Sequence, residues 1–88
     1  MNLRQIHHVA IIVSDYKKSR KFYVETLGFQ IIRENYRPSR GDYKLDLKLE
    51  GCELELFSAS GNPPRPSYPE ACGLRHLAFR VDDVDAAI

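Results

Sequence analysis

The sequence contains no apolar run that approaches the ~18 residues typical of a membrane span. Its first residues, MNLRQIHHV, also lack the apolar core of a signal peptide. Charge of one sign is not in excess: 13 basic side chains stand against 12 acidic ones, which gives no general field favouring nucleic acid or a membrane as partner. The cysteines, Cys52 and Cys72, form no C-x-x-C pair, so we interpret them as reduced and structural. These absences favour a cytoplasmic protein.

What is present makes one small domain at most. The chain has 88 residues, of which 43% are hydrophobic and 28% charged, as in ordinary globular proteins. Residues 7–13 are apolar and β-branched and predict a strand. Ser14 and Asp15 are suited to cap a helix. Apolar residues at three-and-four spacing predict that helix over 16–27, and Gly28 ends it.

Three further strands are predicted before a proline-rich connection. A strand over 29–34 is followed by a loop at 37–42, which carries a proline and a glycine. Alternating apolar and polar residues then predict strands over 43–49 and 53–58. The turn at 50–51 joins these two strands into a hairpin.

A repeated phrase links the two ends of the chain. HHVAIIVSD at 7–15 and RHLAFRVDD at 75–83 share the form H-x-A-x-x-V-x-D, with His8 and His76 in the same place. Repeats of this kind cover one another's apolar faces, and one copy alone leaves a sheet face open. We therefore expect a second copy of the first unit to begin near the end of this sequence.

The predicted fold class is α+β, with one complete βαβββ module and the start of a second. The first module covers 1–60, a linker covers 61–73, and the second module begins over 74–88. A strand from Leu74 and a helix from Val84 would open the second module. On this interpretation the 88 residues are a single domain, 1–88, that is C-terminally truncated.

Alternation along the strands places one histidine of each phrase on the same side of the sheet. Side chains of a strand point alternately to opposite faces. The more continuously apolar set of each strand suits packing under the helix, which leaves His8 and His76 on the other side. Glu55 faces the histidine side by the same alternation. His7 faces the opposite side and is interpreted as a packing or surface residue.

Two imidazoles and a carboxylate on one surface predict a divalent metal site formed by His8, Glu55 and His76. Neutral imidazole nitrogen and carboxylate oxygen suit Zn²⁺, Ni²⁺, Fe²⁺ or Mn²⁺. The alternative is that both histidines are strand-end residues and that Glu55 lies on a solvated strand face. Histidine at the same position of both phrases favours the metal site, because coincidence does not readily produce it.

Three stretches resemble the vicinal-oxygen-chelate superfamily: HHVAIIVSDYKKSRKFYVETLGF, LELELF and ACGLRHLAFRVDDVDAA. The likeness is to its small bacterial glyoxalase I-like proteins, the lactoylglutathione lyase or glyoxalase/bleomycin-resistance/dioxygenase family. It implies paired βαβββ modules curled around one metal ion, with ligands at His8, Glu55 and His76. It also implies a homodimer, and a fourth ligand, a glutamate on the last strand, that would lie beyond Ile88.

The resemblance implies a metal-dependent lyase or isomerase that acts on a hemithioacetal, the adduct of a 2-oxoaldehyde such as methylglyoxal with a thiol. The ion would be Zn²⁺ or Ni²⁺ first, with Fe²⁺, Mn²⁺ or Co²⁺ as alternatives, and Glu55 or the missing glutamate would be the base. Glyoxalase I typically carries an arginine for glutathione where this sequence has Ile12. Other candidate cations are Arg33, Arg37, Arg40 and Arg80.

Three other functions stay open. An Fe²⁺-dependent extradiol-type dioxygenase usually keeps two histidines and one late glutamate, so Glu55 argues against it. A metal-free small-molecule-binding or resistance protein of the same superfamily generally lacks the ligand residues, whereas three of those positions are filled here. A structural or interaction domain with a vestigial site is the third alternative.

Overall fold

The computed structural model describes residues 1–86, and it has the α+β, βαβββ fold that the sequence predicts. The elements are β1 (His8–Ile12), helix α1 (Tyr16–Lys21) continued by a π-helical segment (Phe22–Thr26), β2 (Gln30–Arg37), β3 (Asp42–Leu49) and β4 (Cys52–Ala59). Across this described part of the chain, no helix is long and apolar enough to cross a membrane.

Local hydrogen bonds define both ends of the helix. The Asp15 carboxylate accepts a hydrogen bond from the backbone N–H of Lys18 at 3.1 Å, as its predicted role as N-cap requires. The last turn widens, because the N–H of Leu27 donates to the carbonyl of Phe22 at 2.9 Å, an i to i+5 bond. Gly28 then adopts a φ of 82°, which a residue with a side chain rarely does, and the chain turns toward β2.

The four strands form one sheet in the order β1-β4-β3-β2. β2, β3 and β4 are antiparallel neighbours, whereas β1 runs parallel to β4 at the edge. A parallel pair needs a crossover connection, and the helix together with β2 and β3 provides it. This topology places the first strand of the module beside the last one.

One face of the sheet packs against the helix. The core consists of five buried apolar residues, four of them from the alternating strands β3 and β4: Phe29, Leu45, Leu47, Leu54 and Leu56. Each fully buried leucine contributes about 1.5–3 kcal/mol through the apolar area it removes from water. The period of two along a strand then turns the neighbouring polar side chains to the opposite, open face.

The predicted strand from Leu74 is wrong for the described residues, which show no strand there. A strand exists only with a hydrogen-bonding neighbour, and within residues 1–86 the segment has none. Leu77 and Phe79, which the alternation of this segment assigns to its apolar face, nevertheless lie against the core. They line a small apolar cavity with core residues, and the Phe79 ring lies 5.6 Å from that of Phe29.

The helix predicted from Val84 is not formed in the part that can be described. Residues 84–86 form a turn, in which the backbone N–H groups of Asp85 and Ala86 donate to the Asp83 carboxylate. The remainder of that prediction, 87–88, lies outside the described residues. The division into a first module, a linker and a second module stays a prediction.

Candidate functional site

His8 and Glu55 form a pair on the open face of the sheet. In the parallel register of β1 and β4, His8 lies opposite Glu53, and Ala10 lies opposite Glu55, so the pair is diagonal. His8 Nε2 lies 3.8 Å from Glu55 Oε2. The histidine side chain is 47% exposed and the glutamate side chain 17% exposed, so a ligand can reach both. The structure thus places two of the predicted site residues together.

The gap between these two atoms suits a metal ion better than a hydrogen bond. At 3.8 Å it exceeds the ~2.7–3.2 Å of an N–H···O hydrogen bond. It is shorter than two metal–ligand bonds of about 2.0–2.2 Å placed end to end. One ion can therefore contact both atoms, and the donor set of one imidazole and one carboxylate fits the ions expected from the sequence.

The third predicted ligand lies elsewhere. His76 lines a recess with Arg65, Glu70 and Arg75, on the segment that forms no strand. Among residues 1–86, no group of three His, Cys, Asp or Glu side chains is close enough to hold a metal ion. The structure therefore brings together two of the three predicted ligands, and His76 as a ligand stays a prediction.

A second carboxylate, which the sequence pattern does not reveal, lies beside Glu55. Asp46 is directly opposite it on β3 and is only 1% exposed. Two cations neutralise Asp46: Arg33 Nε lies 2.7 Å from Oδ2, and Lys44 Nζ lies 3.2 Å from Oδ1, although without hydrogen-bond geometry to that oxygen. Within residues 1–86 the only basic group paired with Glu55 is the His8 imidazole. Of these two carboxylates, Glu55 is thus the one available to a ligand.

The predicted position of His7, on the face opposite His8, is wrong. β1 begins at His8, so the alternation of the strand does not extend to His7. The two imidazole rings are in edge contact with centroids 5.2 Å apart, and their Nδ1 atoms are 2.9 Å apart. The carbonyl of His7 accepts a hydrogen bond from the Glu53 N–H at 2.9 Å, so β4 also anchors this residue. His7 is exposed, in agreement with its interpretation as a surface residue.

A recess of about 420 Å³ lies beside the pair on the same face. Its floor includes the apolar residues Ala10, Ile12 and Phe57. Ala10 is the register partner of Glu55, so the recess begins where the His8–Glu55 pair ends. A substrate held at the pair can therefore extend over an apolar floor.

The candidate cations occupy different places. Arg33 is bound to Asp46, whereas Arg37 and Arg40 line the recess and Arg80 is exposed. Arg37 donates to both carboxylate oxygens of Asp42, at 2.7 and 2.5 Å. These hydrogen bonds hold the pKa of Asp42 below its usual value, and the charge of Arg37 is thereby already compensated. Arg40 makes no ion pair among residues 1–86 that would compensate its own charge.

Comparisons with known proteins cover nearly the whole chain. A sequence model described as the glyoxalase/bleomycin resistance protein/dioxygenase superfamily matches residues 5–88. The uncharacterized protein YwkD of Bacillus subtilis is 58% identical over 89 residues, an alignment that covers 100% of this chain and 70% of YwkD. The crystal structure of the glyoxalase family protein from Enterococcus faecalis shares 56% identity and a TM-score of 0.90, covering 100% of this chain and 70% of that one.

More distant relatives carry named activities. The human mitochondrial methylmalonyl-CoA epimerase is 31% identical over 91 residues, covering 99% of this chain and 52% of that protein. A probable lactoylglutathione lyase of Vibrio parahaemolyticus is 30% identical over 90 residues, covering 98% of this chain and 63% of that protein. These relatives are longer than the aligned segment, so the chain corresponds to only part of each.

Proposed function

Because the chain belongs to the glyoxalase/bleomycin resistance protein/dioxygenase superfamily, we propose that it is a metal-dependent lyase or isomerase of the glyoxalase I type. Its substrate class is the hemithioacetal of a 2-oxoaldehyde and a thiol. The observation that carries the proposal is the His8–Glu55 pair, an imidazole nitrogen and a carboxylate oxygen 3.8 Å apart on an open face. The similarity to the Vibrio lyase supports the reaction class.

His8 Nε2 and Glu55 Oε2 would hold the ion, and His76 is the proposed third ligand. A divalent ion such as Ni²⁺ or Zn²⁺ supplies Lewis-acid polarisation of the substrate oxygens when it is bound. The two cations on Asp46 leave the Glu55 carboxylate free for this role. The apolar floor beside the pair accommodates the remainder of the adduct.

Glu55 is the base in this proposal. One of its carboxylate oxygens accepts the proton from the carbon that bears the sulfur and the hydroxyl group, and returns it to the neighbouring ketone carbon. The hydroxyl proton passes to the neighbouring oxygen, so the product is the thioester of a 2-hydroxy acid and no atom is gained or lost. Partial burial of Glu55, at 17% exposure, limits competition from water for the proton.

A second candidate, an epimerase of an acyl-CoA thioester, is favoured by the similarity to the human methylmalonyl-CoA epimerase over 99% of this chain. That reaction also removes a proton from a carbon next to a carbonyl, but it returns the proton to the same carbon. Exchange of the α-proton of methylmalonyl-CoA for deuterium in D₂O, without isomerisation of thiol adducts, would identify this activity.

The test of the proposed function compares Glu55→Gln with Glu53→Gln, which removes a carboxylate from the same face of the same strand. With added Ni²⁺, the unmodified chain is expected to isomerise adducts of methylglyoxal with a panel of thiols. Glu55→Gln should lower kcat by about 100-fold or more, because it removes the base. Glu53→Gln should retain the rate.

Metal analysis comes first in this test. A protein that carries no metal after purification without chelator, and gains none from Ni²⁺ or Zn²⁺, would contradict the proposal. Oxygen uptake with catechols would instead identify the dioxygenase alternative. Tight binding of a small molecule without turnover would favour the resistance-protein alternative.

A further inference from the structure

We propose that His7 is a positioning residue, which holds the His8 imidazole in the tautomer able to bind a metal ion. The proposal rests on the proposed function, because it assigns His8 Nε2 to the ion. It starts from one contact: the Nδ1 atoms of the two neighbouring rings lie 2.9 Å apart, at hydrogen-bond distance. When Nδ1 of a histidine ring makes such a hydrogen bond, the other ring nitrogen, Nε2, is the one left to bind a metal ion.

Only one tautomer of His8 leaves Nε2 able to bind a metal ion while Nδ1 makes the observed contact with His7. A neutral imidazole carries a single N–H, so one nitrogen donates and the other accepts. If His8 Nδ1–H donates to His7 Nδ1, His8 Nε2 presents its lone pair toward Glu55. If His7 were the donor, the hydrogen of His8 would sit on Nε2 and block it as a ligand. Metal-binding histidines generally fix their tautomer by donating the second ring N–H to a neighbour.

At 3.8 Å, the gap to Glu55 contains no hydrogen bond from His8 Nε2. An N–H on His8 Nε2 facing a carboxylate would form a charge-assisted hydrogen bond, for which ~2.7–2.9 Å is typical. The observed distance leaves Nε2 without such a bond. A lone pair at Nε2, with the hydrogen on Nδ1 toward His7, is compatible with both distances.

His7 is suited to this role because its backbone is fixed, while its side chain makes no other hydrogen bond among residues 1–86. Its carbonyl accepts the Glu53 N–H at 2.9 Å, one residue before β1 begins, so the position of the ring follows the β1–β4 pairing. His7 itself is exposed, and its Nε2–H can be solvated. In the sequence pair His7-His8, the second histidine is therefore the metal ligand and the first holds its ring in place.

The first experiment measures Ni²⁺ affinity by calorimetry at pH 8 for a set of matched variants of the chain. His7→Leu keeps a side chain of moderate size but has no acceptor, and it should weaken Ni²⁺ binding by about 10–100-fold, as loss of an outer-shell partner does. His7→Asn should restore most of the affinity, because its Oδ1 occupies the place of Nδ1 and can only accept. Gln5→Ala removes an exposed side chain nearby and should leave the affinity unchanged.

Equal affinity of His7→Leu and the unmodified chain would overturn the proposal, and so would failure of His7→Asn to bind better than His7→Leu. A second measurement does not depend on metal. ¹⁵N NMR of the imidazoles in the metal-free chain at pH 8 should show His8 with its hydrogen on Nδ1, and His7→Leu should lose this preference. A hydrogen on His8 Nε2 would overturn the proposal. If Ni²⁺ does not bind at all but the NMR result is as expected, the proposed function fails and the role of His7 in fixing the tautomer stands.

Discussion

Asp46 and Glu55 are two carboxylates that lie directly opposite each other on β3 and β4. Like charges in this relationship destabilise a sheet unless something compensates them. Arg33 and Lys44 both pair with Asp46, which is buried, whereas Glu55 remains partly exposed next to His8. Of these two carboxylates, Asp46 is therefore structural, and Glu55 is available for ligand binding or proton transfer.

Substitutions of the two cations that pair with Asp46 should have strongly non-additive effects on the free energy of unfolding. Arg33→Gln or Lys44→Gln alone should cost under about 1 kcal/mol in the free energy of unfolding, because the other cation remains and Arg33 is largely exposed. The double variant should cost about 3 kcal/mol, because it leaves a buried carboxylate without a cation. Urea unfolding at pH 7 measures all three values. If the costs of the two single substitutions simply add, the stability of buried Asp46 does not depend on Arg33 and Lys44 acting together. Lys48→Gln on the same strand serves as the control.

Tyr16 should make the stability of the fold sensitive to alkaline pH. Burial first, then its hydrogen bond to Glu34, raises the pKa of Tyr16 above its ordinary value of 10.0. The folded state thus keeps the phenol proton longer than the unfolded state. This contribution to stability is fully present below pH ~10 and is lost as the pH rises from there through the folded pKa.

Tyr16→Phe should therefore lose less stability than the unmodified chain between pH 9 and 11, a range chosen around the ordinary tyrosine pKa of about 10. Urea unfolding across that range measures the difference. In an absorbance titration at alkaline pH, Tyr16→Phe should also have one tyrosine fewer among those that ionise only above the ordinary tyrosine pKa. Tyr36→Phe, which alters an exposed tyrosine, is the control. An identical pH dependence of both variants would contradict the expectation.

His76 should contribute to metal affinity if it is the third ligand. His76→Ala is then expected to weaken Ni²⁺ binding by more than about tenfold, because a ligand matters at least as much as an outer-shell partner. Cys72→Ser, four residues earlier on the same segment and also exposed, controls for disturbance of the backbone. If His76→Ala binds Ni²⁺ with unchanged affinity, His76 is not a ligand. His8 and Glu55 would then be the remaining proposed ligands.

The face of each strand was predictable because side-chain alternation is a local rule. Leu45, Leu47, Leu54 and Leu56 became the core. Glu55 reached the same side as His8, as the period of two requires. The N-cap at Asp15 was predictable for the same reason, since it depends on residues within one turn. These features need no knowledge of which strands are neighbours.

Features that depend on neighbouring strands were not predictable. Asp46 alternates with two lysines and looks like part of a solvated face, but β3 lies inside the sheet and its neighbours cover it. β2 continues to Arg37, three residues beyond its predicted end, because its ladder with β3 runs as far as the Arg37–Asp42 pair. His7 escapes the alternation because the ladder with β4 starts one residue later.

The parallel pairing of β1 with β4 also has a kinetic consequence. The β3–β4 hairpin closes through a two-residue turn, whereas β1 must close a loop that contains the helix and two strands before it meets β4. Closing the longer loop costs more chain entropy, so we expect the hairpin to form before β1 docks. His8 and Glu55 meet only when β1 docks. Partial opening at the β1 edge would therefore separate His8 from Glu55 while the hairpin and most of the leucine core stay intact. Under the proposed function, metal binding would then report on the docking of β1.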